Sequence, residues 1–382
     1  MKIGVIGSGR LGICFSLILS KYLEEVNVYD KNLEYLKLIE EKQFNSPEPG
    51  VNELINENKN LNFCYNLSEL IESSEIIYTF VDTPSNEDGT YDISNLQNVI
   101  EDCLLEEGFK EKVFVIGCTV NPGDSQNISN RLSSNNIETF YNPEFIAQGS
   151  IIDDLENSDL VLIGGKKNKN SEDLVSIYEK FMKKTPNFSI LSYTSAEITK
   201  IAINSFLNTK ITFANMIGDI LIKSNKEDEI SNVLEAIASD RRIGNKYFNF
   251  GLGFGGPCLP RDNIALIKYA ENLNLDLDLL SKVDEHNIKH RKVIADFVIS
   301  QNKENYPFFM EGIGFKKGSD ILTESTRLYL LEDLLSCSKK VYVESIFESN
   351  FEILNKLSKN NENLTIVDTK DDIKEEVYEI IY

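Results

Sequence analysis

The sequence predicts an α/β protein: two Rossmann-like open-sheet domains joined by a long central helix. Three observations carry this expectation. Short apolar runs alternate with breaker-free helical stretches through the first half of the chain. A proline-free helical pattern then runs for more than twenty residues from Ser195. A second, smaller set of apolar runs begins near Tyr306. The expected boundaries are 1–190 for the first open-sheet domain, 191–295 for the helical centre and 296–382 for the smaller second sheet.

The first strand, Lys2-Ile-Gly-Val-Ile-Gly7, is a run typical of a buried parallel strand. It enters Gly7-Ser-Gly-Arg-Leu-Gly12, then a helical stretch, then Val26-Asn-Val-Tyr and Asp30, eighteen residues after Gly12. Strand, glycine turn, helix, strand and acid in that order form a dinucleotide fingerprint. Gly7 permits the tight turn, Gly9 lets backbone N–H groups reach a pyrophosphate, and Gly12 lets helix pack on strand. Asp30 would accept the adenosine ribose hydroxyls, which favours NAD over NADP.

Composition removes several function classes. The formal net charge of -22 argues against nucleic acid, which needs a basic surface. No apolar run has the length of a membrane span. Six scattered cysteines and two histidines lack metal-ligand spacing, so no metal site is expected, and a reducing, cytoplasmic setting fits. Arg241, Arg242, Lys246 and Arg261 form a local cationic cluster suited to a small phosphorylated ligand.

Further strands are expected at Glu75–Val81, Lys112–Gly117, Thr139–Tyr141 and Leu160–Gly165, with a helix over Ser171–Lys183. Open α/β sheets bind ligands beyond their strand C-termini, which places Thr83, Thr119 and Glu144 towards the cofactor. In the long helix, capped by Ser195, Lys200 and Asn204 share one face. After a helical segment near 227–238 comes Gly251-Leu-Gly-Phe-Gly-Gly-Pro-Cys-Leu-Pro-Arg-Asp262, with four glycines and two prolines in twelve residues. Such a loop brings backbone close to a ligand. Cys258 at its tip, with Arg261 and Asp262 just behind, is a candidate nucleophile beside a cation and a base. Helices follow from Asn263 to Phe297, with His286 and His290 expected at the surface. The second sheet is expected to use Tyr306–Lys317, Lys340–Glu344, Leu364–Asp368 and the segment up to Tyr382.

Together these motifs resemble the UDP-glucose/GDP-mannose dehydrogenase family. The fingerprint, Val81-Asp-Thr-Pro, Cys118-Thr-Val, Asn142-Pro-Glu-Phe, Lys200-x-x-x-Asn204-x-Phe, Arg242-Ile-Gly and the Cys258 loop follow in the family's order, with sixteen residues from Arg242 to Cys258. The resemblance implies an NAD-binding domain, a dimerising central helix and a C-terminal sugar-nucleotide domain. It also implies oxidation of a hexose C6 alcohol to a carboxylate in two hydride transfers. Cofactor contacts are implied for Arg10, Leu11, Thr83, Thr119, Gln148 and Arg261. Substrate contacts are implied for Glu144, Phe145, Lys200, Asn204, Phe254, Gly255, Lys316 and, in the neighbouring subunit of a homodimer, Arg242.

The chemistry explains the residue types. Alcohol oxidation needs a base, Asp262 through water, and a cation for the alkoxide, Lys200. An aldehyde has no leaving group, so a second hydride transfer needs a tetrahedral adduct. The Cys258 thiolate would form a thiohemiacetal whose oxidation gives a thioester, with Lys200 and Asn204 holding the oxyanion. The resemblance assigns thioester hydrolysis to a water activated by Glu144 with Thr119.

Three departures from the family are visible: Gln148 replaces a usual acid, Thr323 replaces an NAD-contacting arginine, and the sequence ends before an arginine-bearing strand. The Pro-Arg-Asp after Cys258 favours the UDP-glucose branch. The alternatives are the same reaction on GDP-mannose or a UDP-N-acetylhexosamine, a single-step hydroxyacid-type NAD dehydrogenase, and a non-catalytic sugar-nucleotide-binding protein.

Overall fold

The computed structural model describes residues 1–381; Tyr382, the last residue of the expected C-terminal strand, lies outside the described residues. The chain forms two compact units, Met1–Lys200 and the residues from Ile201 onward.

The first unit holds β1 (Ile3–Ile6), β2 (Val26–Tyr29), β3 (Leu61–Phe63), β4 (Ile76–Thr79), β5 (Val113–Ile116), β6 (Glu138–Tyr141), β7 (Leu160–Gly164) and β8 (Asn187–Leu191). They form one sheet in the order β3-β2-β1-β4-β5-β6-β7-β8. Every pair is parallel except β6 and β7, which meet antiparallel at Tyr141 and Gly164. Every position of β1, β4 and β5 is buried. Ile3, Val5, Tyr78 and Val115 enter one apolar core, while Ile6, Ile77, Phe114 and Ile116 enter another. That period-two division shows helices covering both faces, as continuous apolar strands require. The sequence pattern misses β3 and β8 for a physical reason. Both are edge strands, β3 has an exposed Asn62 at its centre, and β8 has no fully buried residue. The helix expected at Ser171–Lys183 runs from Lys169 to Phe181, because Asn168 makes a capping box with Ser171.

The second unit holds β9 (Phe308–Glu311), β10 (Val341–Glu344), β11 (Leu364–Val367) and β12 (Tyr378–Glu379), all parallel, in the order β11-β10-β9-β12. The expected fold class of two open, mainly parallel sheets and a long helix is therefore observed.

Three local expectations need correction. The long helix begins at Tyr193, so Ser195 lies inside it and bonds the Ser192 hydroxyl instead of capping it. The stretch from Asn263 to Phe297 is two helices, Leu259–Asn272 and Asp278–Gln301. His290 is not a surface residue: it is 1% exposed, with both ring nitrogens engaged.

Candidate active site

The first unit carries a crevice of about 560 Å³ beyond the ends of β1, β2 and β4, where the strand order reverses. Gly7, Gly9, Asp30, Lys31, Phe80 and Asp102 are among its lining residues. The three fingerprint glycines have separate physical reasons. Gly7 has φ +92°, and a Cβ there would lie 2.1 Å from Phe80 O. A Cβ on Gly12 would lie 1.9 Å from Gly7 O, so only glycine lets helix and strand pack this closely. A Cβ on Gly9 would meet no heavy atom within 4 Å, so nothing in the chain itself demands glycine there, and the open space suits the close approach of a ligand. Arg10 and Leu11 open the helix Arg10–Tyr22, which has no side-chain cap and no acid in its first turn. Its first N–H groups suit an anion. Asp30 fixes the turn by accepting Ser8 N at 2.7 Å, Ser8 Oγ at 3.0 Å and Asn32 N at 2.9 Å. These residues fit a dinucleotide.

A paired substitution separates the two kinds of glycine. Gly12→Ala is expected to lower stability by about 3 kcal/mol or more through the Gly7 clash. Gly9→Ala is expected to cost about 1 kcal/mol or less yet weaken NAD binding about tenfold or more. Thermal melts and NAD titration of both variants check this; equal melts would contradict it.

Beyond β4 and β5, Thr83 Oγ1 donates to Thr119 O at 2.7 Å, tying the two loops together. The loop after β6 carries Glu144, which is buried. Tyr178, from the helix Lys169–Phe181, hydrogen-bonds Glu144 Oε1 and lies 2.9 Å from Asn142 Oδ1. Lys200 Nζ donates to Glu144 O at 2.6 Å and sits 4.6 Å from the centre of the Phe145 ring. Burial pushes the Glu144 carboxyl up to about 7, against the opposing Tyr178 hydrogen bond and the Lys200 charge. Glu48, 3% exposed, accepts Gly149 N and Ile151 N, each at 2.8 Å, and so anchors the far end of this loop. Gln148 is half-buried there, and its Oε1 has no hydrogen-bond partner among the described residues.

In the second unit the glycine-rich loop ends at Cys258, not at Asp262. Cys258 is exposed at the N-cap of the helix Leu259–Asn272, with Pro260 in the first turn, where no intrahelical N–H bond is lost. The helix N-terminus favours an anion at that position. Asp262, 2% exposed, accepts Asn204 Nδ2 at 2.6 Å, and Arg261 Nε lies 3.6 Å from its other oxygen. A Cβ on Gly255 would stand 2.2 Å from Glu324 O, so the loop tolerates no side chain there.

The loop is held along its length by amides. Asn208 Nδ2 donates to Leu259 O at 2.8 Å, and Gly251 N donates to Asn215 Oδ1 at 3.0 Å. Asn287 takes both backbone groups of the buried Phe254, at 3.0 and 2.9 Å. His290 bridges Gly251 O at 2.7 Å and Asp219 at 2.8 Å. The Asn204 face of the long helix is thus a polar stripe that runs through the buried Asn208 and Asn215 to the partly buried Asp219. Spacing along the helix could have revealed it; Asn287, His290, Tyr178 and Glu48 have no such signal. Arg242 is exposed and pairs with Asp240 through two nitrogens. Lys316 follows β9 and lies 5.7 Å from the Phe315 ring centre, and Thr323 is exposed.

The chain has known relatives. Residues 1–182 match the NAD binding domain, and residues 194–289 the central domain, of the UDP-glucose/GDP-mannose dehydrogenase family. A UDP-glucose 6-dehydrogenase of Pseudomonas aeruginosa is 28% identical over 88% of this chain and 76% of its own length. A putative UDP-glucose 6-dehydrogenase of Bacillus subtilis is 31% identical over 90% of this chain and 81% of its own. The solved UDP-glucose dehydrogenase of Pyrobaculum islandicum shares the fold with a TM-score of 0.83 at 24% identity, over 97% of this chain and 87% of that one. With the glycine turn built for a dinucleotide and both family domains matched in order, the chain belongs to the UDP-glucose/GDP-mannose dehydrogenase family and is an NAD-dependent oxidoreductase.

Proposed function

We propose that the protein oxidises the C6 alcohol of a nucleotide hexose, UDP-glucose first among them, to the carboxylate by way of a Cys258 thioester. The observation that carries this reading is Cys258 itself. It is exposed at a helix N-terminus, on a loop that Asn208, Asn215, Asn287 and His290 hold in place. A one-step dehydrogenase has no use for a nucleophile presented in this way.

Bound NAD supplies the hydride acceptor for both oxidations. Asp262, buried and bonded to Asn204, takes the C6 hydroxyl proton through a water, while the Lys200 ammonium stabilises the alkoxide. Cys258 sulfur then bonds the aldehyde carbon, and the carbonyl electron pair moves to oxygen, held by Lys200 and the Asn204 amide one helical turn away. After the second oxidation the carbon is a thioester. Glu144 takes a proton from water, the water oxygen bonds the acyl carbon, and the carbon–sulfur bond breaks to return the Cys258 thiolate. Thr119, half-buried and tied to Thr83, borders that water.

The cofactor contacts assigned to Arg10, Leu11, Thr83, Gln148 and Arg261 belong to the same reading, as do the substrate contacts of Phe145, Phe254, Gly255 and Lys316. So do a central domain over 191–295 and a nucleotide-binding C-terminal domain over 296–382. Phe206, Phe213 and Ile220 are 65%, 48% and 59% exposed along one side of the long helix. Such a stripe supports a homodimer, in which Arg242 serves the partner's substrate. No helix among the described residues is long and apolar enough to cross a membrane.

The test is NADH release over a panel of UDP-, GDP- and dTDP-sugars. UDP-glucose is expected to give the highest kcat/KM. A higher value for GDP-mannose or a UDP-N-acetylhexosamine would move the reading to that sugar, and no turnover with any of them would remove it.

A further inference from the structure

The Tyr178 hydroxyl faces two acceptors with one proton. It lies 2.9 Å from Asn142 Oδ1 and is also hydrogen-bonded to Glu144 Oε1. Asn142 cannot turn its nitrogen towards the phenol, because Nδ2 already donates to Leu162 O at 3.0 Å. Oδ1 is therefore the atom presented to Tyr178. All three side chains are buried, so each must find its partners inside the protein.

The state of Glu144 decides which contacts are made. When the carboxyl is protonated it donates to the Tyr178 oxygen, and Tyr178 donates to Asn142, so every contact has a proton. When the carboxyl is ionised, Tyr178 turns its proton to Glu144, and Asn142 Oδ1 is left facing an oxygen without one. The unmade contact opposes ionisation, while the donated one favours it.

We propose that Tyr178 is a positioning residue for Glu144, its single proton turning between Asn142 and the carboxylate, so that the Tyr178–Asn142 pair sets the pH at which Glu144 becomes a base. This rests on the reading of Glu144 as the base of thioester hydrolysis. The other groups around the carboxyl are Lys200, bonded to the Glu144 backbone oxygen, and Tyr78 of β4. Tyr78 ionisation is pushed far up by burial and then by Glu144, so Tyr78 stays neutral, and its hydroxyl has no hydrogen-bond partner among the described residues. Of these groups, Tyr178 is the one whose hydroxyl lies between Asn142 Oδ1 and the Glu144 carboxylate.

Two neighbouring substitutions should act in opposite directions. Tyr178→Phe removes the donor to the charged form, so Glu144 should titrate about one to two pH units higher. Asn142→Ala removes the competing acceptor, so Glu144 should titrate about half a unit to one unit lower. The carboxyl is read by infrared titration of the cofactor-free protein, with Glu144→Gln as the blank, and circular dichroism verifies each fold. Opposite shifts support the inference. Shifts of the same sign, or no shift in the better-folded variant, overturn it. The pH profile of NADH release is recorded alongside. If the carboxyl moves and the acid limb of the rate does not, the Tyr178 inference stands and the role of Glu144 as base falls.

Discussion

Cys258→Ala is expected to abolish uronate formation, by on the order of 10⁴-fold or more, while leaving the fold intact. The side chain is exposed, so its loss creates no cavity, and stability should change by about 0.5 kcal/mol or less. The groups assigned to the first oxidation remain: Asp262 is still bonded to Asn204, and Lys200 is still on the long helix. The reaction should therefore halt at the aldehyde level. No other cysteine among the described residues is placed to substitute, since Cys14, Cys64, Cys103 and Cys118 are buried and Cys337 follows the C-terminal end of the helix Thr326–Ser336, whose opposite end, at Thr326, is the one beside Gly255. Product analysis by mass spectrometry checks the result; full acid formation by the variant would remove Cys258 from the mechanism.

The second large effect is expected at Glu144. In its proposed role as the base of thioester hydrolysis it must be ionised, and burial raises its carboxyl to about 7. The rate of acid formation should therefore rise with pH and level off above that value. Glu144→Gln should slow hydrolysis by about 10² to 10⁴-fold, with the acyl group accumulating on Cys258. Stability has the opposite pH dependence. The folded protein holds the Glu144 proton to a higher pH than the unfolded chain, whose carboxyl titrates near the ordinary 4.5. The contribution is thus fully present below 4.5 and is lost as pH rises through about 7. The loss amounts to about 3 kcal/mol, which Glu144→Gln should abolish. Denaturation midpoints from pH 5 to 8 check the sign: a wild type that gains on the Gln variant with rising pH would contradict the buried, protonated carboxyl.

Legibility from sequence followed the range of each interaction. Gly7, Gly9, Gly12 and Asp30 were legible because the turn, helix and strand they serve are consecutive in the chain. The loop before Cys258 was legible through its glycines. Its end was not: Pro260 reads as a breaker, yet in a first helical turn it starts a helix. Tyr178 reaches Glu144 across 34 residues, and Glu48 reaches Gly149 across 101, with no periodicity linking either pair. Asn208, Asn215 and Asp219 shared a stripe with Asn204, but the apolar residues between them masked it. His290 was misplaced because the lack of a metal-ligand pattern around the two histidines says nothing of burial, whereas Asp219 and Gly251 O hold one of them inside.

The central claim is that one cysteine links two oxidations of the same carbon. The most direct measurement is the number of NADH released per nucleotide sugar consumed, at limiting sugar and excess NAD. The mechanism predicts two NADH per sugar, with the uronate as product. One NADH per sugar, with an aldehyde or ketone as product, would contradict it.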